Sequence, residues 1–279
     1  MQSDASPSPL APGRLGFGHA AVGYVVTIVV AVLAPLLVIG LQSPSGPDQS
    51  YLALPVQYLL LLVLGALVVR LWTASAYRPS HLGFVWPASR AQWLLGAAGG
   101  LAFVVISQIA SRLLPSIGES GAQVANQIGF GQSLLRDVVL VVTIGALGPI
   151  GEEMIYRGVI FRSLYDAFSR RPSLQRVAFV VPALISAILF ALSHGGEGQS
   201  RQVVFLTLFG LIAAWLYWHT GSLLVPVFAH VVTNMISVVL VAYQPGFSQP
   251  WVWALVPLIP AIGVGLVVLL WKGLGRTTE

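Results

Sequence analysis

The chain has no cysteine, so disulfides and thiolate metal sites are excluded. Charge is nearly as scarce: Asp, Glu, Lys and Arg together make up 8% of its 279 residues. It has no HExxH helix, no GxSxG elbow and no Walker loop. The soluble type of zinc protease, the α/β-hydrolase and the P-loop nucleotidase therefore lack their signatures. Apolar and polar residues do not alternate over the roughly ten-residue segments that a membrane β-barrel needs. What the chain has is hydrophobicity. Apolar residues are 56% of the total, mean hydropathy is +0.85, and apolar runs recur at the ~17–25 residues that cross a bilayer as a helix. The fold class that follows is all-α, a polytopic membrane protein of about eight transmembrane helices. The formal charge of +5 is small and spread over loops, which makes it a topology signal and gives no reason to expect a nucleic-acid partner.

Residues 1–18, rich in Ser, Pro, Ala and Gly, read as a disordered tail. Spans are expected at about 20–41, 52–72, 92–114, from Leu134 into the acids at 152–153, then 177–194, 203–219, 222–242 and 251–271. Residues 19–133 thus form accessory helices, 134–242 a core, and 243–279 a last helix with a short tail. Gly96 and Gly100 make a GxxxG in span 3, which lets two helices approach closely. Gly148 and Pro149 interrupt span 4 just before its acids. An even number of spans puts both termini on one side of a membrane. With them inside, Arg14, Arg70, Arg78, Arg90, Arg157, Arg162, Arg170, Arg171, Arg176, Lys272 and Arg276 are cytoplasmic, against Arg112, Arg136 and Arg201 outside. Eleven of the 14 basic residues on one side decide the orientation.

The stretch Gly148-Pro-Ile-Gly-Glu-Glu-Met-Ile-Tyr-Arg157 organises the rest. Two adjacent carboxylates, Glu152 and Glu153, and an arginine, Arg157, stand at the edge of an apolar span. A charge at mid-bilayer costs about 2.5–3.5 kcal/mol on insertion scales, so an ionisable residue there suggests function. The plainer reading is a helix end steadied by a Glu153–Arg157 pair at i,i+4. Three further polar residues weigh against it. His194 ends span 5, and His230 and Asn234 share a face of span 7, one turn apart. Each alone fits helix–helix hydrogen bonding. Together they supply what water attack on a carbonyl needs: a carboxylate to take the proton, an imidazole to relay it, and donors for the oxyanion. The same set offers a divalent metal such as zinc two histidines and a glutamate, Glu152, His194 and His230, with an open position for water. Ser193 beside His194 makes a poor nucleophile–base pair, since adjacent helical side chains diverge.

Glu152-Glu153-x-x-x-Arg157, Phe190-x-x-x-His194 and His230-x-x-x-Asn234, in that order on three spans, resemble the three motifs of the CPBP family. These are the CAAX proteases and bacteriocin-processing enzymes, or Abi proteins, including the Ras-converting type of CAAX prenyl endopeptidase. The resemblance covers about residues 134–240. It implies an eight-helix intramembrane endopeptidase with catalytic residues Glu152, His194, His230 and Asn234. In it Glu152 and His194 activate water, His230 and Asn234 form the oxyanion site, and Glu153 and Arg157 are a supporting pair that orients Glu152. Substrates would be membrane peptides or proteins, prenylated or of the leader and bacteriocin kind, at a bacterial plasma membrane. No third His or Cys stands near the motifs, and Asn is a poor zinc ligand but a good oxyanion donor. The expectation is therefore that no cofactor is required, a divalent metal on Glu152, His194 and His230 being the alternative.

The span boundaries conflict with this site. They put Glu152 near the inner end of span 4 and His194 near the outer end of span 5, about 25 Å apart by helical rise. Either span 5 starts deeper or later, or residues 155–176 re-enter the membrane. Two other function classes compete with the enzyme. A membrane scaffold or immunity protein would bind a peptide through the same cluster and keep its function without Glu152. A transporter would use the carboxylates as a proton relay and predicts an inverted repeat, of which the two halves show no sign.

Overall fold

The computed structural model describes residues 15–41, 50–72, 79–113, 129–194 and 200–242. They form seven apolar helices and, among the described residues, no strand. These are α1 (Phe17–Leu41), α2 (Ala53–Trp72), α3 (Arg90–Leu113), α4 (Leu134–Ser169), α5 (Val180–Leu192), α6 (Ser200–Thr220) and α7 (Leu224–Ala242). The first three and the last two lie within a few residues of the spans expected from hydropathy. The eighth, at 251–271, and most of the N-terminal tail lie outside the described residues. Leu15 is already buried, and its N–H donates to Asp166 Oδ2 at 3.3 Å.

The correction concerns α4. It does not stop at the acids but continues through the expected basic loop to Ser169, 36 residues in all. At 1.5 Å per residue that is about 54 Å, well beyond a ~30 Å hydrocarbon core. Its charges are largely paired along the helix itself, Glu153 with Arg157 and Arg162 with Asp166, each at i,i+4. α5 then runs back along it. From Glu152 down to the end of α4, and from Ala178 up to His194, each leg climbs about 25 Å. Glu152 and His194 therefore sit at one depth, and the conflict in the sequence-based drawing disappears.

The middle of α4 is the axis of the bundle. Ile155, Tyr156, Val159, Ile160 and Phe161 are all buried, against α1, α2, α5 and α6. α1 presents an outer stripe of exposed Val25, Ile28, Val32, Leu36 and Ile39, the apolar face that lipid requires. α3 packs on α7 through the expected GxxxG. A Cβ on Gly96 would stand 2.8 Å from the Val225 carbonyl oxygen, and one on Gly100 would stand 2.4 Å from that of Ala229, so only hydrogen fits at either place.

One end of the bundle is tied together. The Arg171 guanidinium lies 5.1 Å over the Phe17 ring. Tyr217 Oη donates to the Leu82 carbonyl at 2.8 Å, and the Leu223 N–H donates to that of Gly83 at 2.7 Å. Arg162, Arg170, Arg171 and Arg176 gather at this end, whereas Arg136 stands at the other end of α4.

Gly100→Val is expected to destabilise the protein by about 1–3 kcal/mol through overpacking, and Gly40→Val by much less, because nothing lies within 4 Å of a Cβ there. Thermal unfolding of both variants in detergent checks this.

Candidate active site

α4 is locally wound into π-helix on both sides of the acids, at Thr143–Leu147 and Met154–Phe161, with a short α-helical piece, Gly148–Glu153, between them. Pro149 explains part of this. In the first π turn the Gly148 N–H bonds the Thr143 carbonyl. In the same register Ile144 would receive from residue 149, which as proline has no N–H. Its carbonyl is taken up instead by Asn234 Nδ2 of α7, at 2.8 Å. Such π turns recur at functional sites. Here the break in α4 is also what anchors Asn234.

The structure brings Glu152, Glu153, Arg157, His194 and His230 into contact, and Asn234 lies one turn beyond His230 on α7, bonded to the Ile144 carbonyl. Glu152 Oε1 stands 3.4 Å from His194 Nε2, and Glu152 Oε2 stands 3.6 Å from His230 Nε2. Glu153 Oε1 accepts from Arg157 Nη1 at 3.0 Å and meets His230 Nδ1 at 2.9 Å. His230 thus touches both carboxylates, one with each ring nitrogen. Glu152, Glu153, Arg157 and His230 are buried, whereas Asn234 is partly exposed and 29% of the His194 side chain is open. The Arg157 guanidinium lies 4.6 Å over the Phe190 ring, and the His230 ring lies 4.6 Å from that of Phe209. Aromatic faces therefore close the cluster from the α5 and α6 sides and give the buried cation a second favourable contact.

The hydrogen bonds fix the tautomers. His194 Nδ1 meets the Phe190 carbonyl at 2.8 Å and must donate to it. His230 Nδ1 faces a carboxylate already bonded to arginine and must donate as well. When neutral, both rings turn a lone pair at Nε2 toward Glu152; when protonated, either donates Nε2–H to it. Three acceptors facing one another need a shared proton, or a water that donates to two of them. A water held that way has its own lone pair free, the condition for a nucleophile beside a base.

Two findings were not legible in the motifs. Tyr58 of α2 donates to Glu152 Oε1 at 2.8 Å. No sequence pattern marked it, since a lone tyrosine in an apolar span ordinarily reads as interfacial. Ser193 Oγ comes within 3.2 Å of His194 Nδ1, so the two side chains meet where divergence was expected. The reason is that both turn back onto one acceptor as the helix closes: Ser193 Oγ donates to the Phe190 carbonyl at 2.8 Å. This contact occupies the ring nitrogen directed away from Glu152.

The fit to a metal ion rests on the same geometry. Among the described residues no group of three or more His, Asp or Glu side chains is arranged to hold one. With Nδ1 on Glu153, His230 turns Nε2 toward Glu152, so Glu152, His194 and His230 are the residues that would hold a metal were one bound.

Residues 134–236 match the family model for the type II CAAX prenyl endopeptidase Rce1-like proteins. Over 102 residues the chain is 29% identical to the putative membrane peptidase YdiL of Bacillus subtilis (strain 168), an alignment spanning 37% of each protein. Over 226 residues it is 24% identical to the membrane-embedded CAAX protease MroQ of Staphylococcus aureus (strain USA300), covering 78% of this chain and 89% of that one. No solved structure matches. The matched segment contains Glu152, Glu153, Arg157, His194, His230 and Asn234, and the resemblance read from the three motifs is borne out. With its apolar helices and membrane-embedded relatives, the chain is an integral membrane protein.

Arg157→Met leaves the Glu153 carboxylate buried without its guanidinium and is expected to cost about 3–5 kcal/mol. Glu153→Leu added to it removes the stranded charge and should recover part of that loss. Unfolding midpoints of the single and double variants measure the difference.

Proposed function

On a core that belongs with the Rce1-like CAAX endopeptidases, we propose that the chain hydrolyses a peptide bond of a membrane-associated or lipidated peptide, using water activated by Glu152 and His194. The observation that carries this reading is the convergence of the Glu152 carboxylate with two imidazole Nε2 atoms at one depth in the bundle. Glu152 takes a proton as the water oxygen attacks the scissile carbonyl, and His194 shares it. His230, backed by the Glu153 carboxylate, can hold protons on both nitrogens and then offers Nε2–H to the oxyanion. The second N–H of Asn234 is the other donor. As the tetrahedral intermediate collapses, the C–N bond breaks and the leaving amine receives the proton from Glu152 or His194. Arg157 fixes Glu153, and Glu153 fixes the His230 ring. The chemistry needs no cofactor in this reading.

The substrate is a peptide or protein at the bilayer, either a prenylated C-terminal tail or an unlipidated leader or bacteriocin peptide. The site's place among apolar helices supports a substrate that arrives along the membrane. Both termini are cytoplasmic in this reading, at a bacterial plasma membrane. The gathering of Arg162, Arg170, Arg171 and Arg176 at the end where α1 begins supports that side as the inner one.

The functional test uses purified protein in liposomes with two quenched fluorescent peptides, one ending in a farnesylated Cys-a-a-X tail and one an unlipidated leader-like peptide. Cleavage of either is expected to persist in strong chelator and to be lost in Glu152→Gln. Asn234→Ala is expected to lower kcat about 100- to 1,000-fold, the cost of one oxyanion donor. Loss of activity in chelator would instead assign the water to a metal. Wild-type biological function retained by Glu152→Gln in cells would favour a peptide-binding scaffold. The absence of cysteine allows orientation to be read from single replacements. Ser173→Cys should react with an impermeant maleimide only from the cytoplasmic side, and Gln132→Cys only from the other.

A further inference from the structure

The matched segment does not complete the site by itself. Glu152 Oε1 receives the Tyr58 hydroxyl at 2.8 Å, and Tyr58 lies on α2, outside residues 134–236. The contact is built in from both sides. A Cβ on Gly148 would stand 3.1 Å from Tyr58 Cζ, so glycine there leaves room for the ring one turn from the acid. Gly151 also faces α2, where a Cβ would make ordinary contact with the Tyr58 carbonyl oxygen at 3.7 Å. The short α-helical piece between the two π stretches thus presents a small-residue face to α2, with Glu152 beside it.

The two carboxylate oxygens of Glu152 are not equivalent in this setting. Oε1 has a strong donor, the phenol, and a ring nitrogen at 3.4 Å. Oε2 has one neighbour in the cluster, His230 Nε2 at 3.6 Å. A carboxylate whose rotation is pinned through one oxygen keeps the other aimed.

We propose that Tyr58 is a positioning residue of the hydrolytic site, donating to Oε1 and so holding the Glu152 carboxylate in the orientation in which it takes the proton from water. The inference rests on reading Glu152 as the base. It makes α2 part of the working enzyme, with Gly148 as the residue that admits the tyrosine.

Two measurements test it, one of them independent of proteolysis. In the first, Tyr58→Phe, which keeps the ring and its packing, is assayed on whichever of the two liposome peptides the wild type cuts. The expected result is kcat lowered about 10- to 100-fold, the value of a hydrogen bond to a charged group, with KM and the unfolding midpoint unchanged. Gly148→Ala, which crowds the ring, should lower kcat in the same direction, and adding it to Tyr58→Phe should lower kcat little further. Unchanged kcat in Tyr58→Phe overturns the proposal, and so does a matched rise in KM with kcat preserved. In the second, 3-fluorotyrosine is placed at position 58 of the full chain and its fluorine resonance recorded with Glu152 intact and as Glu152→Gln. A clear shift between the two supports the contact, and coincident resonances overturn it. Should the wild type cut neither peptide, the proteolysis reading fails on that result while the resonance pair still decides the contact.

Discussion

A buried ion pair underlies this molecule. Glu153 and Arg157 are both fully enclosed in a chain with very little charge to spare, and apolar helices offer neither of them water. Removing one partner strands the other, which is the costly case, whereas the intact pair roughly breaks even. The pair therefore marks a requirement for specificity more than a source of stability. With Arg157 neutralising it, Glu153 can stand beside Glu152 and still hold the His230 ring by its Nδ1. The phenylalanines that cover the guanidinium also border the histidines, so packing and charge fix one arrangement.

The second constraint is the break in α4. Proline removes a donor, the helix winds wider, and a carbonyl inside the bundle is left for a side chain of another helix to satisfy. That side chain is Asn234, which the proposed hydrolysis also uses as a donor. Breaking the helix and placing the donor are thus one event. An unpaired carbonyl in hydrocarbon costs several kcal/mol, which holds α7 in register with α4. The same stretch offers its small residues to α2. Three helices meet at one depth because each answers a particular feature of Gly148–Glu153.

Much of this was legible in the chain. Hydropathy located the helices, the GxxxG marked a close-packing face of α3 without naming α7 as its partner, and the three polar motifs named Glu152, Glu153, Arg157, His194 and His230, which converge, and Asn234 one turn along from His230. What was not legible has physical causes. The second half of α4 looked like a loop because Arg157 and Arg162 stand in it with Arg170, Arg171 and Arg176 just beyond, and hydropathy does not register that i,i+4 pairing removes much of the cost of the first two. Once that half is helical, α5 has to return along it, and the depth of His194 follows. Tyr58 was invisible for a different reason. Its role depends on a contact between residues 94 apart in sequence, and an apolar span with one tyrosine carries no pattern. Ser193 reached His194 because a helix end bends side chains back onto a common carbonyl, which the regular-helix rule does not include.

The central claim is that Glu152 acts on water and not on the peptide. Single-turnover cleavage in water enriched in oxygen-18, followed by mass spectrometry of both the product and the enzyme fragment containing Glu152, tests it most directly. The account predicts one heavy oxygen in the new carboxylate of the product and none in Glu152. Heavy oxygen in the Glu152 side chain would mean that the carboxylate had attacked the carbonyl itself and formed an anhydride later opened by water, and would contradict the account.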